Sequence, residues 1–472
     1  MESTPATHKR AADLANAPLG PLLFRVGLPG VIGMLVMATY NVVDTFWVAG
    51  LAQARQAIAG LTVVFPLQAI AGALGIGAGV GVASLVARRL GERRLAEANA
   101  IGGNAVTFPI LSGGALACLA LFTPHTLLHL FGAQADILPA ALAYVTTVAF
   151  GFPFLLFVMT VNGLYQGSGN TLMPMVVMTT SAGINLVLDP LLIYGVGPFP
   201  RLEVRGAALA TVISQMAGFL ISAAYLRSGR SGYHIHARDL APRLTIVRDV
   251  AQVGAPAAVM HVVMSVVVSV FNTVLGGFGS VAIAAYGLTF RVTMVVMPFV
   301  FGAGQGLLPI VGYSFGAREY RRMWHAIWIA SLWASLVGFV LGGFLLLFAP
   351  SVIALFTRDA ELHRLTVLAV RLMLLTLWLA APQMMAVSAL QGMGLGMRAM
   401  VLALARQLLF LIPALLLLSS FFGITGAFAA QPTADLLAFL LTAFTLLRLH
   451  QRYRPLDSAA RVSHNPANGA AG

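Results

Sequence analysis

The sequence predicts an all-α membrane protein of about twelve transmembrane helices. Of its 472 residues, 59% are hydrophobic and only 9% are charged. Apolar runs of about twenty residues, the length that crosses a bilayer, recur along nearly the whole chain. The alternating pattern of a lipid-facing β-barrel is absent. Soluble domains carry roughly 25% charged residues, so the composition excludes a soluble globular protein.

The apolar runs give the approximate limits of the predicted helices. In chain order the predicted spans are 21–49, 57–86, 99–122, 139–161, 172–196, 206–227, 250–275, 281–312, 325–349, 364–388, 399–421 and 426–447. Polar connections separate them, and most of these are short.

Basic residues predict the orientation of the chain. The net charge is +13, and arginines concentrate in the connections after spans 2 and 8, in the central linker and in the tail. Short connections rich in Lys and Arg stay cytoplasmic. An even number of spans separates these segments, so we expect both termini to be cytoplasmic, in a multi-pass protein of the cell inner (plasma) membrane. Because the charge is explained by topology, we expect no nucleic-acid partner.

The two halves of the chain repeat each other. Gly91 in "VARRLGERRLAEA" aligns with Gly316 in "VGYSFGAREYRRM", and Gln166 in "LYQGSGN" aligns with Gln391 in "ALQGMGL" at the same spacing. Basic loops recur at the same phase, which predicts two parallel, pseudo-symmetric six-helix bundles. We expect an N-lobe over 14–227, a cytoplasmic linker over 228–249, a C-lobe over 250–449 and a disordered cytoplasmic tail over 450–472.

Only three carboxylates lie inside hydrophobic stretches, namely Asp44, Asp189 and Asp435. A charge at bilayer depth costs at least ~2.5–3.5 kcal/mol on insertion scales, so it persists mainly where it has a function. Asp44 and Asp189 fall at similar depth in the first half. This pair points to an ion or proton site in a membrane transporter.

Four further polar residues fall near that depth. Asn41 precedes Asp44 by three residues and Asn185 precedes Asp189 by four, so each pair shares one helix face; the others are Thr211 and Tyr144. Such a set of hard oxygen atoms can hold Na⁺. Alternatively, two close carboxylates in a low dielectric cannot easily both ionise, and the pair then binds and releases a proton. A third interpretation is that these residues only fix helix packing.

The second half offers a less complete polar set. Asp435 either contacts a cationic substrate, forms a second proton site, or is simply a buried hydrogen-bonded residue. The other residues of this possible second-lobe or substrate site are Gln431, His261 and Asn272. In span 1, Pro29 interrupts helical hydrogen bonding and is either a hinge or a static kink.

At these residues the sequence resembles the multidrug and toxic compound extrusion (MATE) family of antiporters. The resemblance covers about residues 14–449 and rests on "LPGVIGMLVMATYNVVDTFWVAGL", "RRLGERR", "YQGSGNTLMP" and "NLVLDPLLIYG". It implies a V-shaped pair of six-helix bundles and a cation site of Asp44, Asn185, Asp189 and Thr211, with Tyr144 nearby. It also implies export of lipophilic organic cations, drugs or dyes, in exchange for H⁺ or Na⁺. Span 7 has no glutamate, so the chain looks closer to the DinF-type than to the NorM-type branch.

Two other functions were weighed against antiport. A flippase for a lipid-linked precursor would need basic residues in its cavity, and Arg291 and Arg406 are the clear intramembrane candidates. A membrane prenyl transferase would need paired Asp-rich motifs for Mg²⁺-diphosphate, and no Asp-x-x-x-Asp occurs. We therefore expect a monomeric antiporter in contact with membrane lipid, not an enzyme, with no catalytic residue and no cofactor besides its coupling ion.

Overall fold

The computed structural model describes residues 5–51 and 54–463, and these contain helices and turns but no strand. Within these ranges the side chains of 5–9, 11, 41–42, 44–46, 48–49, 54–57 and 454–463 are not described. In the first half the helices are α1 Pro5–Asn16, α2 Leu19–Ala49, α3 Ala54–Gly91, α4 Leu95–Phe122, α5 Pro124–Leu130, α6 Leu138–Val148, α7 Phe152–Gly167, α8 Leu172–Tyr194 and α9 Val204–Arg227.

The second half continues with α10 Leu244–Gly276, α11 Ser280–Gly316, α12 Tyr320–Ala354, α13 Ala360–Met373, α14 Leu377–Gly392, α15 Gly396–Leu404 and α16 Ile412–Ser463. A seven-residue π-helical segment, Ala405–Leu411, joins α15 to α16.

The described helices account for the twelve predicted spans. Ten helical segments are long and apolar enough to cross a membrane, and α13 with α14 forms an eleventh span that is bent by 53°. The segment Gly396–Tyr453 has 58 residues and would be roughly 87 Å long as one helix, far more than a bilayer needs. Non-helical backbone at Gly423 divides it in two. The predicted all-α fold is therefore confirmed.

The repeat seen in the sequence recurs in the backbone. Arg93 and Arg318, at equivalent places after α3 and α11, both adopt φ 60. Gly169 and Gly394, after α7 and α14, both adopt φ 80. Residues other than glycine rarely adopt positive φ. The matching angles at matching positions therefore indicate two copies of one supersecondary structure.

The described residues form two compact units, each with its own core. The first consists of the segments up to Ala11, Ile32–Val86 and Arg94–Ala258, and the second of Ala12–Val31, Ala87–Arg93 and the chain from Val259. Phe152 and Leu156 are buried in the core of the first unit. In the second, Phe271 stacks on Tyr286 with 4.8 Å between ring centroids. The predicted lobe and linker boundaries stay a prediction.

The central linker is fastened to the first unit. The side chain of Asn104 in α4, which is buried, accepts a hydrogen bond from the backbone N–H of Arg243 at 2.8 Å and donates to the carbonyl of Asp239 at 3.3 Å. The hydroxyl of Tyr233 donates to the carbonyl of Leu164 at 3.2 Å, and burial raises the pKa of this phenol. These contacts hold an otherwise irregular segment against α4 and α7.

The tail differs from expectation. Residues 450–463 continue α16 and are helical, where the sequence analysis predicts disorder. Their charged composition suggests a solvated segment, but Tyr453 stacks on Tyr320 at 5.3 Å and packs edge-on against Phe315 at 5.6 Å. Aromatic packing of this kind contributes about 0.5–1.5 kcal/mol per pair beyond burial, which helps to order the start of the tail.

Candidate functional site

Asp189 is a buried carboxylate near the end of α8. Its side chain is 1% exposed, as is that of Asn185 one turn earlier. In the orientation of the Asn185 amide that satisfies both of its polar atoms, the amide nitrogen donates to Asp189 Oδ2 at 2.9 Å. The shared helix face predicted from the spacing of the two residues is therefore present. A carboxylate at this depth needs such partners, because burying it unpaired is very costly.

The same amide connects α8 to α9. Its oxygen accepts a hydrogen bond from the backbone N–H of Thr211 at 3.3 Å. The Thr211 hydroxyl donates to the carbonyl of Ala207 at 3.0 Å, which leaves its oxygen able to accept or to bind a cation. Gly206 permits the close approach of the two helices, since a Cβ there would lie 2.8 Å from the backbone nitrogen of Ile193. Asn185, Asp189 and Thr211 thus form one buried polar cluster.

Tyr144 belongs to the core that packs beside this cluster. It is buried together with Ala207 and Ala208 of α9. Its hydroxyl accepts a hydrogen bond from Gln68 Nε2 of α3 at 3.1 Å. Gln68 is a residue that the sequence analysis missed, because a lone glutamine in an apolar span carries no spacing signal.

The other predicted members of this site lie on α2. The side chains of Asn41 and Asp44 are outside the described residues, although the backbone there is helical. The end of α2 is tied to the end of α8 by a hydrogen bond from the Tyr194 hydroxyl to the carbonyl of Trp47 at 2.6 Å. Asp44 precedes Trp47 by three residues on α2, and Asp189 precedes Tyr194 by five residues on α8. Both are predicted to bind the ion.

In the second unit, Asp435 of α16 is held by several hydrogen-bond donors. Its side chain is 2% exposed, and Oδ1 accepts from Arg406 Nε at 2.9 Å and Nη2 at 2.8 Å. Gln431 Nε2 also donates to Oδ1 at 3.3 Å, and the Thr376 hydroxyl donates to Oδ2 at 2.9 Å. Gln383 Nε2 donates to the backbone carbonyl of Asp435 at 2.7 Å. Of the three interpretations of Asp435 offered above, its surroundings are those of the buried hydrogen-bonded residue.

The residues around Asp435 come from irregular parts of the second unit. Thr376 lies in the break between α13 and α14. Arg406 lies in the π-helical segment, a geometry found frequently at functional sites. The remaining candidates are not joined to this network: among the described residues, neither exposed His261 nor half-buried Asn272 has a hydrogen bond to Asp435.

The chain is similar to known proteins over most of its length. The model of the family described as MatE matches residues 29–191 and again 256–417, one match in each half. An "FAD transporter" of Shewanella oneidensis is 28% identical over 424 residues, which cover 90% of this chain and 93% of that protein. "Multidrug export protein MepA" of Staphylococcus haemolyticus is 25% identical over 440 residues, covering 93% and 96%.

Solved structures of MATE transporters superpose on nearly the whole chain. The crystal structure of a proline-to-alanine variant of a MATE transporter superposes with a TM-score of 0.88 at 26% identity, covering 97% of this chain and 100% of that one. The matched segments of the family model span more than half of the chain, and the first of them includes Asp189. The chain belongs to the MatE family, whose members are multi-pass membrane transporters and not enzymes.

Proposed function

We propose that the protein is an antiporter that exports lipophilic organic cations, drugs or dyes, in exchange for H⁺ or Na⁺. The observation that carries this proposal is the cluster of Asn185, Asp189 and Thr211, which is a buried carboxylate joined to a neutral amide inside a transmembrane helix pair. Carboxylates inside transmembrane helices commonly mark ion pathways and proton relays. The site is completed by Asp44, Asn41 and Tyr144.

Antiport then requires that binding of the ion shift the transporter between its conformations. A cation or proton that enters from outside neutralises Asp44 and Asp189 and removes their mutual repulsion. Transport is coupled only if the ion binds the two conformations with different affinity. Pro29 supplies the hinge, because it lacks the N–H that would bond the preceding turn. In support of a hinge, the two compact units divide α2 between Val31 and Ile32, two residues after Pro29.

The location follows from the same reasoning. We propose a bacterial inner-membrane protein with both termini cytoplasmic, because arginines cluster in alternate connections. The protein acts as a monomer, since one chain supplies both repeats.

A second candidate substrate is a flavin nucleotide, because the Shewanella relative is described as an FAD transporter and matches nearly the whole chain.

Efflux from proteoliposomes tests the proposal. Ethidium efflux is measured under an imposed pH gradient and, separately, under an imposed Na⁺ gradient, for the wild type and for Asp44→Asn and Asp189→Asn. We expect one gradient to drive efflux and each substitution to reduce it at least ~10-fold, since the charge that binds the ion is lost. Efflux driven by the pH gradient identifies H⁺ as the coupling ion, and efflux driven by Na⁺ identifies Na⁺.

The matched control is Asp136→Asn, which removes an exposed carboxylate from the connection between α5 and α6. It should transport like the wild type. If both aspartate variants in the spans retained full efflux, the proposed site would be wrong. If neither gradient moved ethidium through the wild type, the antiport proposal would be overturned and lipid-precursor flipping would become the leading hypothesis.

A further inference from the structure

Arg406 and Asp435 form an ion pair at bilayer depth that the proposed exchange of ions does not use. Arg406 lies ten residues into the helical segment that begins at Gly396, and Asp435 lies twelve residues after the break at Gly423. At 1.5 Å per residue both are about 15–18 Å from the ends of their spans. Ionisable groups at such depth are rare and are usually functional.

The two side chains of the pair differ in exposure. The Asp435 side chain is 2% exposed and that of Arg406 is 18% exposed. Arg406 uses Nε and Nη2 to bind Asp435, and among the described residues its Nη1 has no hydrogen-bond partner. The carboxylate of the pair is therefore almost fully enclosed, whereas the arginine side chain is partly exposed.

The residue next to Arg406 provides a second observation. Gln407 Oε1 is buried and has no hydrogen-bond partner among the residues that the structure describes. Its Nε2 lies 3.4 Å from the sulfur of Met264, which is 45% exposed. A buried acceptor without a donor is costly unless a water or a ligand satisfies it. Gln407, whose unfilled acceptor belongs to the same side chain that contacts the exposed thioether of Met264, directly follows Arg406 in the chain.

From this arrangement we infer that Arg406 is a specificity-determining residue that binds the anionic group, a carboxylate or a phosphate, of an organic substrate. The inference rests on the proposed export function and identifies, among its substrates, those that also carry such a group as the ones that Arg406 favours. Asp435, with Thr376 and Gln431, acts as a positioning group that holds the guanidinium and keeps the pair neutral in the absence of substrate. Arginine suits this role because its planar fork can bind one carboxylate through Nε and Nη2 and still offer Nη1.

Binding to the purified full-length protein tests the inference. Dissociation constants are measured by fluorescence for FMN, which carries a phosphate, norfloxacin, which carries a carboxylate, and ethidium, which carries no anionic group. Because Arg406→Met alone leaves Asp435 buried and unpaired, the main variant is Arg406→Met with Asp435→Leu, which removes both charges together. Arg406→Lys, which keeps the charge but not the fork, should restore part of the affinity.

We expect the double variant to raise the Kd of FMN, norfloxacin or both about 10-fold or more relative to that of ethidium, as expected for loss of a charged hydrogen bond. A change for FMN alone identifies phosphate as the ligand group, and a change for norfloxacin alone identifies carboxylate. The control, Arg398→Met, removes an exposed arginine from the preceding turns of the same helical segment and should leave the ratio of the constants unchanged.

Two results would overturn the role of Arg406, namely an unchanged ratio in the double variant and a wild type that binds neither anionic compound. Gradient-driven efflux of ethidium, measured on the same preparation, separates this failure from failure of the proposed function. If ethidium efflux is intact and the ratio is unchanged, only the role of Arg406 is lost, whereas absent efflux of ethidium through the wild type rejects the antiport proposal itself.

Discussion

Asp189 and Asp435 are carboxylates in transmembrane helices of a repeated fold, equally buried but differently paired. The partner described for Asp189 is the neutral amide of Asn185 at 2.9 Å. Asp435 is bound by the guanidinium of Arg406 at 2.8 Å and by two further side-chain donors. The partner described in the first arrangement is uncharged. The second has its countercharge built into the protein.

This difference shows how two halves of one fold acquire separate tasks. The turns after α3 and α11 share the same backbone angle at Arg93 and Arg318, so the scaffold repeats. The ion-pairing chemistry does not, because it depends on single side chains placed on that scaffold. We therefore expect substitutions in the first unit to change coupling and those in the second to change stability and substrate choice.

The largest expected effect contrasts the two aspartates directly. Asp189→Asn should abolish efflux while costing little stability, because an amide fits the space and can still bond Asn185. Asp435→Asn should instead destabilise the protein by about 3–5 kcal/mol, since it leaves the Arg406 charge without its partner. Thermal unfolding of the detergent-purified variants, read by tryptophan fluorescence, measures the difference. Equal unfolding midpoints for the two variants would contradict it.

A smaller effect tests whether the second pair is needed for folding at all. The double variant Arg406→Met with Asp435→Leu should recover most of the stability lost in Asp435→Asn, because apolar side chains of similar volume often replace a buried ion pair at no net cost. The unfolding midpoint of the double variant is compared with those of the single variants Arg406→Met and Asp435→Leu. If the double variant were as unstable as the sum of the singles, Thr376 and Gln431 would be the residues that require a charge at position 435.

The sequence predicted the helical fold because long apolar runs leave few alternatives in a membrane. It also placed Asn185 beside Asp189, since the spacing of four residues fixes one helix face. It did not predict that Arg406 would meet Asp435, because 28 residues and a break at Gly423 separate them and only packing brings them together. Thr376 and Gln383 were missed for the same reason, and the order of residues 450–463 depends on ring contacts of Tyr453 that composition does not reveal.

The smallest expected effect concerns one hydroxyl in the break of the bent span. Thr376→Val removes the described donor to Asp435 Oδ2, and we expect a loss of about 1–3 kcal/mol, the cost of an unsatisfied buried acceptor. Thr366→Val is the matched control in α13, because its buried hydroxyl donates only to the carbonyl of Leu362 in its own helix. That change should cost less than ~1 kcal/mol. Similar unfolding midpoints for the two valine variants would mean that the hydroxyl of Thr376 contributes no more than an ordinary helix contact, and that Arg406 and Gln431 suffice to stabilise the Asp435 charge.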